Sequence, residues 1–154
     1  GVQTCALPIF DGERRCRLQR GPLQLQLEWG RFAAVVQQCD LLLSMTGTAA
    51  EQCVGLGKPV LQLAGNGPQF TAGFAEAQRR LLGPGLACAE GPAGSEGQLS
   101  ATAQLVETLL QRLLNEPAWR DTLQRIGHER IGSGGGGARM AADLHTLLEK
   151  RRHG

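Results

Sequence analysis

Asp40-Leu41-Leu42-Leu43-Ser44-Met45-Thr46-Gly47-Thr48-Ala49-Ala50-Glu51-Gln52 is the stretch that decides the fold. Residues 41–45 form an apolar run broken only by Ser44, as expected of a strand buried on both faces. A small Thr-Gly-Thr turn follows. Residues 48–56 then have helical composition, closed by Gly57, a residue suited to a left-handed C-cap. A strand, a small turn and a helix start in that order form the ligand-binding corner of many open α/β proteins.

The same alternation spreads outward. Residues 60–63 read as the next strand. Asn66-Gly67-Pro68 reads as a turn, and residues 69–82 as a helix with Phe70, Phe74, Ala77 and Leu81 along one stripe. Residues 86–89 are a short strand and 90–98 a Gly- and Pro-rich loop. Ser100 is the expected N-cap of a long helix whose stripe is Leu105, Val106, Leu109, Leu110, Leu113 and Leu114. Pro117 breaks it and opens another helix, with Trp119, Leu123 and Ile126 inward. Residues 132–137 are a glycine hinge before a last helix marked by Met140, Leu144, Leu147 and Leu148. Upstream, Leu23-Gln24-Leu25-Gln26-Leu27 alternates like a half-exposed strand near a sheet edge, and residues 30–39 are helical. The expected fold is α/β: a Rossmann-like parallel sheet with helices on both faces, ending in helices.

Composition narrows the function. The 154 residues suit one domain or slightly more, and 42% are hydrophobic. Net charge is only +2, aromatic residues are 4% and Tyr is absent, so no nucleic-acid partner is expected. The five cysteines include no CxxC pair, and the three histidines all lie late in the chain, so no metal site is expected. No apolar stretch reaches the roughly 18 residues of a membrane span. Gly132-Ser133-Gly134-Gly135-Gly136-Gly137 formally matches GxGxxG, but it follows a helix rather than a strand and has no acidic partner downstream at the right distance.

Residues 1–9, Gly-Val-Gln-Thr-Cys-Ala-Leu-Pro-Ile, resemble the translation of a common short-read sequencing adapter, codon by codon. They are expected to be an assembly artefact, with the natural protein continuing upstream. Residues 10–22, with Arg14, Arg15, Arg17 and Arg20, read as a loop or damaged connection. That leaves residues 23–154 as the expected domain.

Two places carry chemistry. At Thr46-Gly47-Thr48 a helix N-terminus offers unpaired N–H groups and a partial positive charge. Gly47 lets a phosphate oxygen approach the backbone, and the two threonines add hydroxyls. Glu51, one turn on, would repel a phosphate but would accept from the two vicinal hydroxyls of a ribose. The same residues would equally serve a plain N-capped core helix. The second place is Gly65-Asn66-Gly67-Pro68-Gln69-Phe70-Thr71, again a strand end, a Gly turn and a helix start. Gly67, Gln69 and Thr71 can meet a sugar or phosphate there. Phe70 could pack on a ring, or in the core.

The run from Leu42 through Thr46-Gly47-Thr48-Ala49-Ala50-Glu51 to Gly57-Lys58-Pro59-Val60 resembles the C-terminal domain of lipid-A-disaccharide synthase and its relatives. Gly67-Pro68-Gln69-Phe70-Thr71, Phe74-Ala75-Glu76-Ala77-Gln78 and the Gly-rich turn within residues 130–142 fit the same group. The UDP-N-acetylglucosamine transferase of peptidoglycan synthesis is similar in layout. The resemblance implies the C-terminal half of a GT-B glycosyltransferase. Such an enzyme moves an N-acetylglucosamine-type sugar from UDP to a lipid-linked acceptor. By resemblance Thr46, Gly47 and Thr48 hold the diphosphate, Glu51 the ribose, and Gly67, Gln69, Phe70 and Thr71 the donor sugar or phosphate. No metal or other cofactor is implied. The acceptor site and general base would lie in an N-terminal domain or the cleft beside it, so no catalytic residue is assigned and the fragment alone is expected not to turn over. The location implied is cytoplasmic, with peripheral contact at the inner membrane. The rival readings are a UDP-sugar epimerase of the same architecture and a non-catalytic remnant serving as an interaction module.

Overall fold

The structure, a computed structural model, describes residues 7–10, 15–67 and 71–152. Two compact units divide the chain, residues 1–40 and 41–154.

The first unit is an antiparallel meander of β1 (Leu7–Phe10), β2 (Arg15–Arg20) and β3 (Leu23–Glu28), followed by helix α1 (Phe32–Gln38). Residues 15–20 therefore form a strand, not the loop expected of them. Their arginines hide a period of two, Cys16 and Leu18 between Arg15, Arg17 and Gln19. Cys16 lies opposite Leu27 and Leu18 opposite Leu25, and Gly21, at φ +57°, turns the hairpin. Arg15 Nε donates to Glu28 Oε1 at 2.8 Å across the same register. β3 pairs with β2 and is no part of the parallel sheet, and its Leu23, Leu25 and Leu27 are exposed.

The second unit is the α/β body. Its strands β4 (Leu42–Ser44), β5 (Val60–Leu63) and β6 (Leu86–Ala89) form a parallel sheet in that order. Helix α2 (Gly47–Gly55) connects the first pair, and α3 (Ala72–Leu82), with a short 3-10 turn at Gly83–Gly85, the second. Crossovers of one hand advancing in one direction put both helices on one face, where Gly47 of α2 lies beside Phe74 and Gln78 of α3. The Cys88 thiol donates to the Ala75 carbonyl of α3 at 3.4 Å on that face. The neighbouring Ala89 points the other way and, with Leu61 of β5, joins a core of Leu109, Leu113, Trp119 and Leu123, supplied by α4 (Glu96–Asn115) and α5 (Pro117–Ile131). The chain is thus α/β with a parallel sheet covered on both faces.

Helix ends refine the expectations. α4 begins at Glu96, capped by Ser95 Oγ accepting from the Gln98 N–H at 3.1 Å, so Ser100 is not its cap. Pro117 does open α5, and Trp119, Leu123 and Ile126 are buried. Gly57 takes φ +69° just past α2. In α3 the buried residues are Ala75, Gln78 and Leu82, whereas Ala77 and Leu81 are exposed. Small Ala75 lets α3 settle closely on β6, which turns that face inward. Leu110 and Leu114 of α4 also remain exposed, beside buried Leu109 and Leu113.

Gly127 of α5 faces the end of α2. A Cβ there would overlap the Val54 carbonyl oxygen, so the two helices meet backbone to backbone. The last helix, α6 (Gly136–Arg152), forms after a break at positive φ in Gly132 and Gly135. None of its residues is buried, and Met140, Leu144, Leu147 and Leu148 line an exposed stripe. No helix among the described residues is long and apolar enough to cross a membrane.

Candidate functional site

The carboxyl ends of β4, β5 and β6 carry the loops in which ligands of parallel α/β sheets are held. At the end of β4, Ser44 is buried and its Oγ accepts from the Thr46 N–H at 3.0 Å. It also stands 3.0 Å from the Thr46 carbonyl and 3.2 Å from Thr46 Oγ1. This knot fixes Thr46 as the extended N-cap of α2, at φ −121° and ψ 148°. No side chain caps the helix. Thr46 and Thr48 are exposed and Gly47 is half-buried. The first-turn N–H groups therefore lie beside small side chains at a strand's carboxyl end, an arrangement suited to an anion.

Gly47 has a second reason to be glycine. A Cβ on it would come within 3.3 Å of Gln78 Nε2 and 3.4 Å of the Phe74 ring. Side chains of α3 thus press on the first residue of α2. Gln78 is 9% exposed, and its Oε1 has no hydrogen-bond partner among the described residues. Glu51, one turn further along α2, is half-buried, and its carboxylate has no hydrogen-bond or ion-pair partner among the described residues.

A polar row underlies these ends. Ser44, Gln62 and Cys88 are in-register neighbours on the three strands. Gln62 is 1% exposed, and neither of its amide atoms is paired among the described residues. Burial first, and then the nearby Glu76 carboxylate, push the Cys88 thiol above its ordinary range, so it stays protonated near neutrality. Glu76 itself is held down to about 2 by hydrogen bonds from Arg79 and then Arg80. Arg79 and Cys88 border a cleft of about 340 Å³ beside the end of β6.

Of the second turn, Gly67 and Thr71 are described, whereas Gln69 and Phe70 lie outside the described residues. Thr71 is the N-cap of α3: its Oγ1 accepts from the Phe74 N–H at 3.2 Å. That helix start is closed by its own side chain, unlike the start of α2. Thr71 keeps its hydroxyl proton for a further partner.

Gln98 organises the loops and was not singled out in the sequence. It is 2% exposed, its Nε2 donates to the Ala64 carbonyl at 2.8 Å, and its Oε1 accepts from the Gly94 N–H at 2.8 Å. One side chain so joins the loop after β5 to the loop after β6. The signal was present as Ser95-x-x-Gln98, the spacing of a capping box. Here the glutamine reaches one residue further back than in the standard motif. Among the described residues no cluster of three His, Cys, Asp or Glu side chains could hold a metal, and His128 and His145 are exposed.

No family model matches the chain, and comparison with curated proteins and with solved structures gives no significant match.

Proposed function

We propose that residues 41–154 bind the donor of a UDP-sugar glycosyltransferase, as the C-terminal domain of a GT-B enzyme does. In this reading the first turn of α2, at Thr46, Gly47 and Thr48, takes the diphosphate. Glu51 accepts from the ribose hydroxyls. Gly67, Gln69, Phe70 and Thr71, on the next loop, face the donor sugar. The transferred sugar is of the N-acetylglucosamine type and the acceptor is lipid-linked, bound by a partnering domain that also supplies the general base. Such an enzyme works in the cytoplasm, at the inner membrane surface.

The observation that carries the reading is the pairing of a helix start that no side chain caps with a carboxylate, one turn on, that has no partner among the described residues. The helix start and Glu51 divide the work by charge. Preorganised N–H dipoles stabilise the departing diphosphate and need no metal to do so. The carboxylate stands where a phosphate would be repelled and a diol welcomed. Calorimetric titration of the chain with UDP tests it. Glu51→Ala should weaken UDP more than it weakens a 2′,3′-dideoxy analogue. Equal loss for both ligands removes Glu51 from the ribose role, and no UDP binding at millimolar concentration by the folded chain removes the donor site.

A further inference from the structure

We infer that Gln78 is a ligand-contacting residue of the α2 site, reading a phosphate and a hydroxyl on one ligand. The inference rests on the donor-site reading above and adds to it a residue from a different helix.

Gln78 is nine-tenths buried in α3, yet its Oε1 has no partner among the described residues. Buried carboxamides are nearly always hydrogen-bonded. The amide group is seated against the first residue of α2: its Nε2 and Cδ lie 3.3 and 3.5 Å from where a Gly47 Cβ would be. Just there, α2 has an N-cap that closes no side-chain hydrogen bond. The carboxamide is thus seated beside helix N–H groups that seek an acceptor, with its nitrogen toward Gly47 and its oxygen without a donor among the described residues.

A bare anion serves only the N–H groups, and a nucleoside only the carboxamide oxygen. A nucleoside diphosphate serves both. Its phosphate oxygens accept from the α2 N–H groups and from Gln78 Nε2, and a hydroxyl of the ligand donates to Oε1. Gly47 is then required for two reasons, since a methyl group would push the carboxamide away as well as crowd the phosphate.

The test uses the whole chain with UDP and uridine as probes. Gln78→Met keeps length and loses both hydrogen-bonding groups. It should lower UDP affinity about tenfold, weaken uridine by a smaller factor through the lost hydroxyl bond alone, and leave the melting temperature near wild type. A wild-type chain that binds UDP beside a Gln78→Met chain that binds it equally well overturns the Gln78 assignment and spares the donor site. A folded wild-type chain that does not bind UDP overturns both. A readout without any variant guards against misfolding: the Gln78 side-chain amide resonance of the wild type should shift on adding UDP. A resonance that stays in place while UDP binds overturns the assignment.

Discussion

The Gln98 carboxamide joins two loops that leave adjacent strands, donating to the Ala64 carbonyl at 2.8 Å after β5 while it accepts from Gly94 after β6. Its burial makes the link costly to lose. Gln98→Leu strands one carbonyl and one N–H, and the expected destabilisation is about 2 kcal/mol. Urea unfolding measures it. Hydrogen exchange should also quicken at the Gly94 amide. An unchanged Gly94 exchange rate would contradict the linking role.

Gly127 faces the Val54 carbonyl too closely for any side chain. Gly127→Ala adds only a methyl group, and on a helix it would ordinarily stabilise. Here the backbone of α2 has to move, so a loss of about 2 kcal/mol is expected instead. A thermal melt showing a gain would mean that the two helices are further apart than described.

Much of the α/β body was legible in the sequence. The apolar runs at 41–45, 60–63 and 86–89 found β4, β5 and β6, although β4, at the edge of the sheet, is not buried on both faces as expected: Leu43 is 48% exposed. β2 was missed because four of its six residues are Arg or Gln, which masked the alternation of Cys16 and Leu18. β3 was found as a strand, but its partner could not be read, since pairing depends on the hairpin at Gly21 and not on the leucines. The buried face of α3 was misjudged by residue type, which ranks Leu81 inward and Gln78 outward. The site showed the same limit. Small residues at a helix start pointed to Thr46, Gly47 and Thr48, whereas the contacts of Gln78 with Gly47 and of Gln98 with Ala64 join positions far apart in the chain.

Glu76 carries a pH dependence of known sign. Its carboxyl is lowered from 4.5 to about 2 by Arg79 and Arg80. A group lowered on folding contributes stability above its unfolded value and loses it as pH falls through the folded one. Wild type should therefore melt above Glu76→Gln at pH 7, with the gap closing between about pH 4.5 and 2. Because the pair is exposed, added salt should narrow the gap as well. A gap at pH 2 as wide as that at pH 7 contradicts the ion pair as its source.

Helix α6 contributes no buried residue. Ending the chain at Gly134 should shift the melting temperature of the remaining domain by less than about 2 °C. A drop of many degrees would show that Met140, Leu144, Leu147 and Leu148 pack against the domain in solution.

The most direct test of the donor site is a UDP titration of the 15N-labelled chain followed by amide resonances. The account predicts saturable shifts largest at Gly47, Thr48 and Ala49, the first turn of α2. A folded chain whose amides there stay in place at millimolar UDP would contradict it.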